Sequence, residues 1–212
     1  MKILDLFAGK GGEQRREKIE SMGHEYITVD IEPKFNCTHT ANILELFASP
    51  LGGGYDFIWA SPPCTAFSVA SMGHHWDERG IPDTKGAIDG IRIVLKTIDI
   101  IKELEPKAWI IENPRGMLRK LQPMKKFRRW TVTYCQYGDD RMKPTDLWGV
   151  VPGWTPRQMC KNGDSCHVAA PRGSRTGTQG MKNAADRAVV PVELWIEILE
   201  CLETQWLTEI KS

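Results

Sequence analysis

Short apolar runs that end in glycine, proline or acidic residues organise the first third of the chain. Residues 2–7 (KILDLF) predict a strand that ends in the glycine-rich turn AGKGG. A polar stretch over residues 13–22 predicts a helix, and residues 26–29 predict a second strand that ends at Asp30. A strand, a glycine turn, a helix and a strand ending in an acid are typical of the first unit of a Rossmann-like sheet. The pattern therefore predicts an α/β fold with a mostly parallel central sheet.

A third predicted strand, residues 56–60, runs directly into the sequence Ser-Pro-Pro-Cys that ends at Cys64. Two consecutive prolines end this strand, because proline cannot donate a hydrogen bond to the next strand. Residues 65–86 are rich in Gly, His and Ser and predict a long loop. Loops of that length in compact domains are usually functional or disordered.

Helical spacing of apolar residues begins again at residue 87 and continues to residue 104. We predict one buried stripe on this helix, formed by Ile88, Ile91, Leu95, Ile98 and Ile101. A strand over residues 109–111 follows and ends at Glu112, and two further strand-like runs cover residues 130–135 and 145–150. A last helix is predicted over residues 191–207.

The size of the chain limits the number of domains. With 212 residues, of which 41% are hydrophobic, it can bury one α/β core and carry a small appendage. We expect a main domain over residues 1–150, a short irregular region over 151–187 and a C-terminal segment, 188–212, that returns to the main domain.

Charge and cysteine content indicate which partners and which cellular compartment the sequence favours. Lys and Arg number 28 against 27 Asp and Glu, so the net charge of +1 gives no overall bias towards nucleic acid. Residues 115–129, here called the basic segment, hold seven Lys or Arg and no acid, which suits either phosphate contacts or an ordinary solvated face. No apolar run is long enough to span a bilayer, so we expect no membrane association. Six cysteines without an export signal indicate reduced thiols of a cytoplasmic protein.

The glycine turn and Asp30 together indicate a ligand that carries a ribose. Small residues let the backbone approach a ligand, and the acid at the end of the second strand is placed to bind two hydroxyl groups. A dinucleotide, a nucleotide or S-adenosylmethionine would all satisfy this pattern, and a tight turn without a ligand is the plain structural alternative.

Cys64 and Glu112 both follow predicted parallel strands, so we expect their side chains to face the same crevice as Asp30. A thiol there acts as a nucleophile if its surroundings favour the thiolate, although most free cysteines are inert and buried. A carboxyl group at the end of an apolar strand is costly to bury without a purpose, and it can share a proton with a ring nitrogen.

The order of five motifs resembles that of the DNA (cytosine-5) methyltransferase family, in the compact form found in phages. The motifs are DLFAGKGG (5–12), VDIEP (29–33), SPPCTAFS (61–68), ENPRG (112–116) and YGDDRMK (137–143). The resemblance implies a Rossmann-like S-adenosylmethionine-dependent methyltransferase fold, with catalysis and cofactor binding in residues 1–150. It also implies that residues 151–187 form a very small target-recognition region for a DNA substrate.

The resemblance further implies roles for individual residues. Cys64 would add to carbon 6 of a flipped-out cytosine, and Glu112 would hold the protonated ring nitrogen 3. Arg141 would contact the base carbonyl and help to activate the thiol. S-Adenosylmethionine would be bound by Phe7, Ala8, Gly9, Gly12, Asp30, Ile31, Asn42, Pro62 and Ala188. The chain departs from the family pattern at Lys143, where a second arginine is usual, and in Glu-Asn-Pro, where Glu-Asn-Val is usual.

Two competing functions remain open at this point. One is cytosine-5 methylation of RNA by the same residues, since no feature of the sequence recognises a 2′-hydroxyl. The other is a catalytically silent DNA-binding module of the same fold, which would have no need for a thiol at Cys64. We expect a monomer, and the sequence leaves an accessory specificity subunit open.

Cys160, Cys166 and His167 form a compact group of metal-binding side chains. A structural zinc site needs four ligands, and no fourth is obvious, because Cys37 or His39 would have to be brought close by the fold. We therefore predict no metal site and expect these three residues to pack within a local loop.

Overall fold

A seven-stranded sheet forms the centre of the protein, whose computed structural model describes residues 1–169 and 183–210. The strands are β1 (Lys2–Leu6), β2 (Glu25–Asp30), β3 (His39–Thr40), β4 (Phe57–Ala60), β5 (Ala108–Pro114), β6 (Arg129–Thr133) and β7 (Pro144–Val150). Their order is β3-β2-β1-β4-β5-β7-β6. The first five strands in this order are parallel to one another, and β7 is antiparallel to both of its neighbours, β5 and β6. The mostly parallel α/β sheet predicted from the sequence is confirmed.

Helices cover both faces of the sheet, and the sheet separates two apolar cores. They are α1 (Gly9–Ser21), α2 (Met72–His75), α3 (Lys85–Leu104), α4 (Gln122–Lys125), α5 (Ala184–Ala188) and α6 (Val192–Ile210). On one face, Trp195 of α6 stacks 4.6 Å from Trp59 of β4, which brings the end of the chain back onto the sheet. No helix within residues 1–169 and 183–210 combines the length and apolar character that a membrane span requires.

The first helix begins four residues earlier than its polar sequence predicts. Gly9, which was expected in the turn, is the first residue of α1, so the turn is reduced to Phe7 and Ala8. Phe7 has a φ of 65°, a conformation that is uncommon for a bulky side chain and that usually persists where the surroundings enforce it. The short turn places the N-terminus of α1 directly at the carboxyl end of β1.

The predicted stripe of α3 is wrong for two of its five residues. Ile98 and Ile101 are buried, but Ile88 is 50% exposed and Leu95 is 40% exposed. The buried face instead includes Val94, the residue before Leu95. Consecutive residues of a helix point about 100° apart, so these two side chains lie on different faces.

Residues 65–84, which make up most of the long loop predicted over residues 65–86, are folded back against the core. They contain the short helix α2, and α3 starts at Lys85, so the loop is also shorter than expected. Phe67 is fully buried, and the buried indole of Trp76 donates a hydrogen bond of 2.6 Å to the carbonyl of Ala66. This segment therefore has a defined position beside Cys64.

Candidate active site

A cleft opens at the carboxyl ends of β1, β4 and β5, where ligands of open α/β sheets bind. Its walls come from the turn after β1, the Ser-Pro-Pro-Cys turn after β4, the end of β5, the start of β7 and the segment that precedes α6. The lining residues are Phe7, Ala8, Gly9, Lys10, Gly11, Arg15, Ser61, Pro62, Pro63, Cys64, Glu112, Pro114, Lys143, Ala185, Ala188, Val189 and Val190.

Cys64 is held on a rigid turn directly after β4. Its carbonyl oxygen accepts hydrogen bonds from the amides of Phe67 (2.9 Å) and Ser68 (3.0 Å). On the other side, the fully buried Asn113 donates from Nδ2 to the carbonyl of Pro62 at 2.9 Å. The thiol itself is partly exposed in the cleft, so the turn presents it to a ligand while its backbone is fixed. Asn113 was not among the predicted site residues, although its place in the Glu-Asn-Pro motif was a signal.

Glu112 lies in the same cleft as Cys64, as the positions of both residues at strand ends predict. Only 4% of its surface is exposed, and its Oε1 accepts a 3.0 Å hydrogen bond from the hydroxyl of Tyr134. Burial, and secondarily the carboxylate of Glu112, raise the pKa of Tyr134 well above its usual value, so the phenol remains a proton donor. The carboxyl group is thereby held in one orientation towards the cleft.

Lys143 is the cation that faces this pair. It lines the cleft, is 8% exposed, and donates from Nζ to the carbonyl of Arg187 at 3.0 Å. Burial raises the pKa of the Cys64 thiol, the charge of Lys143 opposes that effect, and Glu112 reinforces it. Burial lowers the pKa of Lys143, while the negative charges of Glu112 and Cys64 act in the opposite direction. Lys143 was noted in the sequence only as a departure from the family pattern, not as a site residue.

Arg141, the predicted third catalytic residue, lies next to the cleft but is not among its lining residues. Its guanidinium forms an ion pair with Asp139, including a 2.7 Å contact from Nε. It also donates to the carbonyls of Asp186 (3.3 Å), Arg187 (3.2 Å) and Val189 (3.1 Å). Arg141 therefore braces the segment that forms one wall of the cleft.

Five of the nine predicted cofactor residues line the cleft, namely Phe7, Ala8, Gly9, Pro62 and Ala188. Gly12 does not, because it packs inside the fold: a β-carbon there would lie 2.8 Å from the β-carbon of Ala8. The absence of a side chain at Gly12 allows α1 to pack closely against the preceding turn.

Asp30, Ile31 and Asn42 lie around the ends of β2 and β3. The carboxylate of Asp30 accepts hydrogen bonds from the amides of Gly9 and Glu32, both at 2.9 Å. Each of its oxygens can accept a further bond, since a carboxylate has about four acceptor sites. Ile31 is 59% exposed, which is unusual for isoleucine and leaves an apolar surface beside Asp30. The side chain of Asn42 is bound locally, to the amide of Leu44 and to Glu45.

Arg15 is a cleft residue that the sequence did not reveal. It is 3% exposed, and its Nη2 donates to Asp5 at 2.5 Å and to the carbonyl of Ala8 at 3.1 Å. A buried arginine bound to a buried aspartate and to the turn fixes that turn against β1. Its position in a polar helix, with other charged residues around it, gave no indication of burial.

Comparison with known proteins decides the family. The model described as C-5 cytosine-specific DNA methylase matches residues 1–133. The chain belongs to the C-5 cytosine-specific DNA methylase family. A probable DNA (cytosine-5)-methyltransferase of Frog virus 3 (isolate Goorha) is 28% identical over 225 residues, which cover 94% of this chain and 99% of the viral protein. Type II methyltransferase M.FnuDI of Fusobacterium nucleatum is 31% identical over 130 residues, which cover 57% of this chain and 34% of that protein.

This result confirms the family resemblance and the methyltransferase class predicted from the motifs. The matched DNA methylase region includes Cys64, Glu112 and strand β6, and it ends at residue 133. Arg141 and Lys143 lie beyond it, so their roles depend on the geometry of the cleft.

Lys10, which lines the cleft, forms an ion pair with a residue of α5. Lys10 of α1 contacts Asp186 of α5 at 2.7 Å, and both side chains are partly exposed. The positive charge of Lys10 is therefore paired within the protein. The ion pair links the first turn of α1 to the segment that Arg141 and Lys143 also hold.

Proposed function

We propose that the protein transfers a methyl group from S-adenosylmethionine to carbon 5 of cytosine in DNA, through a covalent adduct between Cys64 and a flipped-out base. The observation that carries this proposal is the convergence of Cys64, Glu112 and Lys143 in one cleft with the glycine turn. A thiol, a carboxyl group and a cation are the groups that attack on a neutral pyrimidine ring requires.

The residues of the cleft fit S-adenosylmethionine. Gly9 has a φ of 54° and no side chain, so the turn offers a backbone cradle at the N-terminus of α1. Asp30 retains acceptor sites for ribose hydroxyls, and the exposed face of Ile31 suits an adenine ring. When bound, S-adenosylmethionine supplies an electrophilic methyl group.

Cys64 starts the reaction because carbon 5 of cytosine is too weak a nucleophile by itself. The thiolate adds to carbon 6 and forms a sulfur–carbon bond, which moves electron density towards carbon 5 and ring nitrogen 3. The charge of Lys143 opposes the larger effect of burial on the pKa of Cys64 and so assists formation of the thiolate. Glu112, oriented by Tyr134, shares its proton with nitrogen 3 and so removes the negative charge that develops there.

The adduct resolves without a net change at Cys64. Once carbon 5 carries the methyl group, it loses its proton to a base, the electron pair reforms the double bond, and the bond between sulfur and carbon 6 breaks. Glu112 returns the ring to its neutral form by taking back the proton from nitrogen 3. The cleft can serve this sequence only for a base outside the stack, since carbon 6 is inaccessible within a duplex.

We propose that the basic segment contacts DNA phosphates and that residues 151–187 recognise the target. Six of the seven cations of the basic segment are exposed, whereas Arg119 forms an ion pair with the buried Asp146. The segment starts directly after Pro114, which lines the cleft. Residues 170–182 of the proposed recognition region lie outside the residues that the structure describes.

The decisive experiment traps the adduct. Duplex DNA that contains 5-fluorocytosine is incubated with the protein and S-adenosylmethionine, then analysed on a denaturing gel. Fluorine cannot leave carbon 5 as a proton does, so we expect a complex that survives denaturation with wild-type protein and is lost in Cys64→Ala.

Two controls make the outcome specific. Cys201→Ser, which changes a half-buried thiol of α6, should form the adduct like the wild type. Tritiated cofactor offered in parallel with duplex DNA and with tRNA tests the substrate. Incorporation into tRNA alone would replace DNA by RNA, and absence of both adduct and label, with DNA binding intact, would indicate a silent binding module.

A further inference from the structure

Four metal-binding side chains converge beside β6, outside the cleft. Cys135 lies in the 3-10 turn that follows β6, whereas Cys160, Cys166 and His167 belong to the segment after β7. Their ligand atoms all lie within 4.8 Å of one another. Cys135 is the fourth ligand that the sequence did not reveal, since 25 residues separate it from Cys160.

Three of the six distances between these atoms fit the edges of a tetrahedron. For usual zinc bond lengths, a tetrahedral site has edges of ~3.8 Å between two sulfurs and ~3.6 Å between a sulfur and a nitrogen. The sulfur of Cys166 lies 3.7 Å from that of Cys135 and 3.6 Å from Nδ1 of His167. Nδ1 of His167 lies 3.8 Å from the sulfur of Cys160. The edge from Cys135 to Cys160 is shorter, at 3.0 Å, and would open on binding an ion.

We propose that Cys135, Cys160, Cys166 and His167 bind a structural zinc ion. Three thiolates and one imidazole form a closed four-ligand set, as in structural zinc sites, and leave no position for a substrate. All six cysteines of the chain are free thiols in this structure, so the sulfurs are available as ligands.

Hydrogen bonds around the cluster orient its ligands. The side-chain amide of Gln136 donates to the sulfur of Cys166 at 3.3 Å. The amide of Cys160 donates to the hydroxyl of Thr133 at 3.1 Å, which fixes the backbone from which its sulfur projects. Such outer contacts orient ligands and are typical of metal sites. Ordinary packing of apolar thiols would not require an imidazole nitrogen to point at two sulfurs.

The zinc ion would fasten the proposed recognition region to the catalytic sheet. Cys135 is the neighbour of Tyr134, whose hydroxyl holds Glu112. On the far side of the cluster, the amide of Val168 donates to the carbonyl of Asp140 at 2.9 Å. The ion would therefore join the segment after β7 to the loop that leads into the cleft.

Metal analysis of the full-length protein tests the proposal. The protein is expressed with zinc, purified under reducing conditions and dialysed, and we expect about one zinc ion per chain by mass spectrometry of the metal. Replacement by cobalt should give the intense visible absorption of a tetrahedral site together with a sulfur-to-cobalt charge-transfer band. Cys135→Ser should lose the metal, whereas Cys37→Ser and Cys201→Ser should retain it.

A conservative exchange separates ligand loss from misfolding. His167→Cys should keep the zinc and increase the sulfur-to-cobalt absorption, while His167→Ala should lose both, with circular dichroism as the check of folding. A folded wild-type protein that retains no zinc or cobalt would overturn the proposal. So would retention of zinc by Cys135→Ser equal to that of the wild type, or a cobalt spectrum without sulfur-to-cobalt charge transfer.

Discussion

Asn113→Leu should lower the rate of adduct formation at Cys64 by more than its effect on the stability of the fold explains. The substitution keeps a similar side-chain volume but removes the donor of the 2.9 Å hydrogen bond to Pro62, two residues before Cys64. Because Pro62 is buried, its carbonyl loses a partner that water cannot replace. The cost is about 1–3 kcal/mol of the free energy of unfolding, and each kcal/mol lowers Tm by about 2–4 °C for a chain of this size.

The loss of activity should exceed what this loss of stability explains. A shift of the reacting atom by about 1 Å costs on the order of 100-fold in rate, and the freed turn carries the thiol. We therefore expect the single-turnover rate of adduct formation to fall by about 100-fold at a temperature where the variant is fully folded, with the Kd for DNA unchanged.

Thr97→Val is the matched control for Asn113→Leu. Thr97 is also fully buried, and its hydroxyl donates to the carbonyl of Ile93 at 2.8 Å, but it lies in α3 away from the cleft. It should lower Tm without changing the rate. If Asn113→Leu lowered Tm as expected and still formed the adduct at a rate near that of the wild type, the assignment of Asn113 as a positioning residue would be wrong.

Three further predictions address the charge, packing and DNA surface of the cleft. Lys143→Gln removes the charge that lowers the pKa of Cys64, so alkylation of this thiol by iodoacetamide should shift to higher pH; an unchanged pH profile would contradict the electrostatic role. Gly116→Ala would drive a β-carbon into the carbonyl oxygen of Phe67, in the loop after Cys64, so it should lower both Tm and activity, whereas Gly53→Ala, with no atom within 4 Å, should not. Lys125→Gln combined with Lys126→Gln, in the basic segment, should weaken the dependence of DNA affinity on salt. The slope of log K against log salt concentration should fall by about 0.9 for each phosphate contact that is lost, and an unchanged slope would mean that DNA binds elsewhere.

Strands were predictable from the sequence where an apolar run is followed by a residue that does not favour a buried strand. The proline pair after β4 and the acid at Asp30 mark strand ends in the sequence and in the structure. By contrast, β3 contains only His39–Thr40, too short for an alternating pattern to appear. The exposed face of α3 was misjudged at Ile88 and Leu95, because apolar spacing alone does not say which of two adjacent faces meets the sheet.

The cleft was predictable to the extent that it depends on strand ends. Cys64 and Glu112 meet because parallel strands bring their carboxyl ends to one edge, a rule that needs no knowledge of side-chain packing. Arg15 and Cys135 could not be found in the same way. The first is recognised only by its buried partner Asp5, and the second only because the antiparallel β6–β7 pairing brings distant segments together.

Arg141 and Lys143 differ in the groups that hold them. Arg141 is bound to Asp139 and to three carbonyls of the segment before α6, so its guanidinium holds that segment in place. Lys143 contacts one carbonyl of that segment and faces the thiol. A lysine presents a compact charge on a flexible stem, whereas the planar guanidinium suits several carbonyls at fixed angles. Lys143 therefore connects the segment before α6 with the charge environment of Cys64, because the same ammonium group donates to the carbonyl of Arg187 and opposes the rise in the pKa of the thiol.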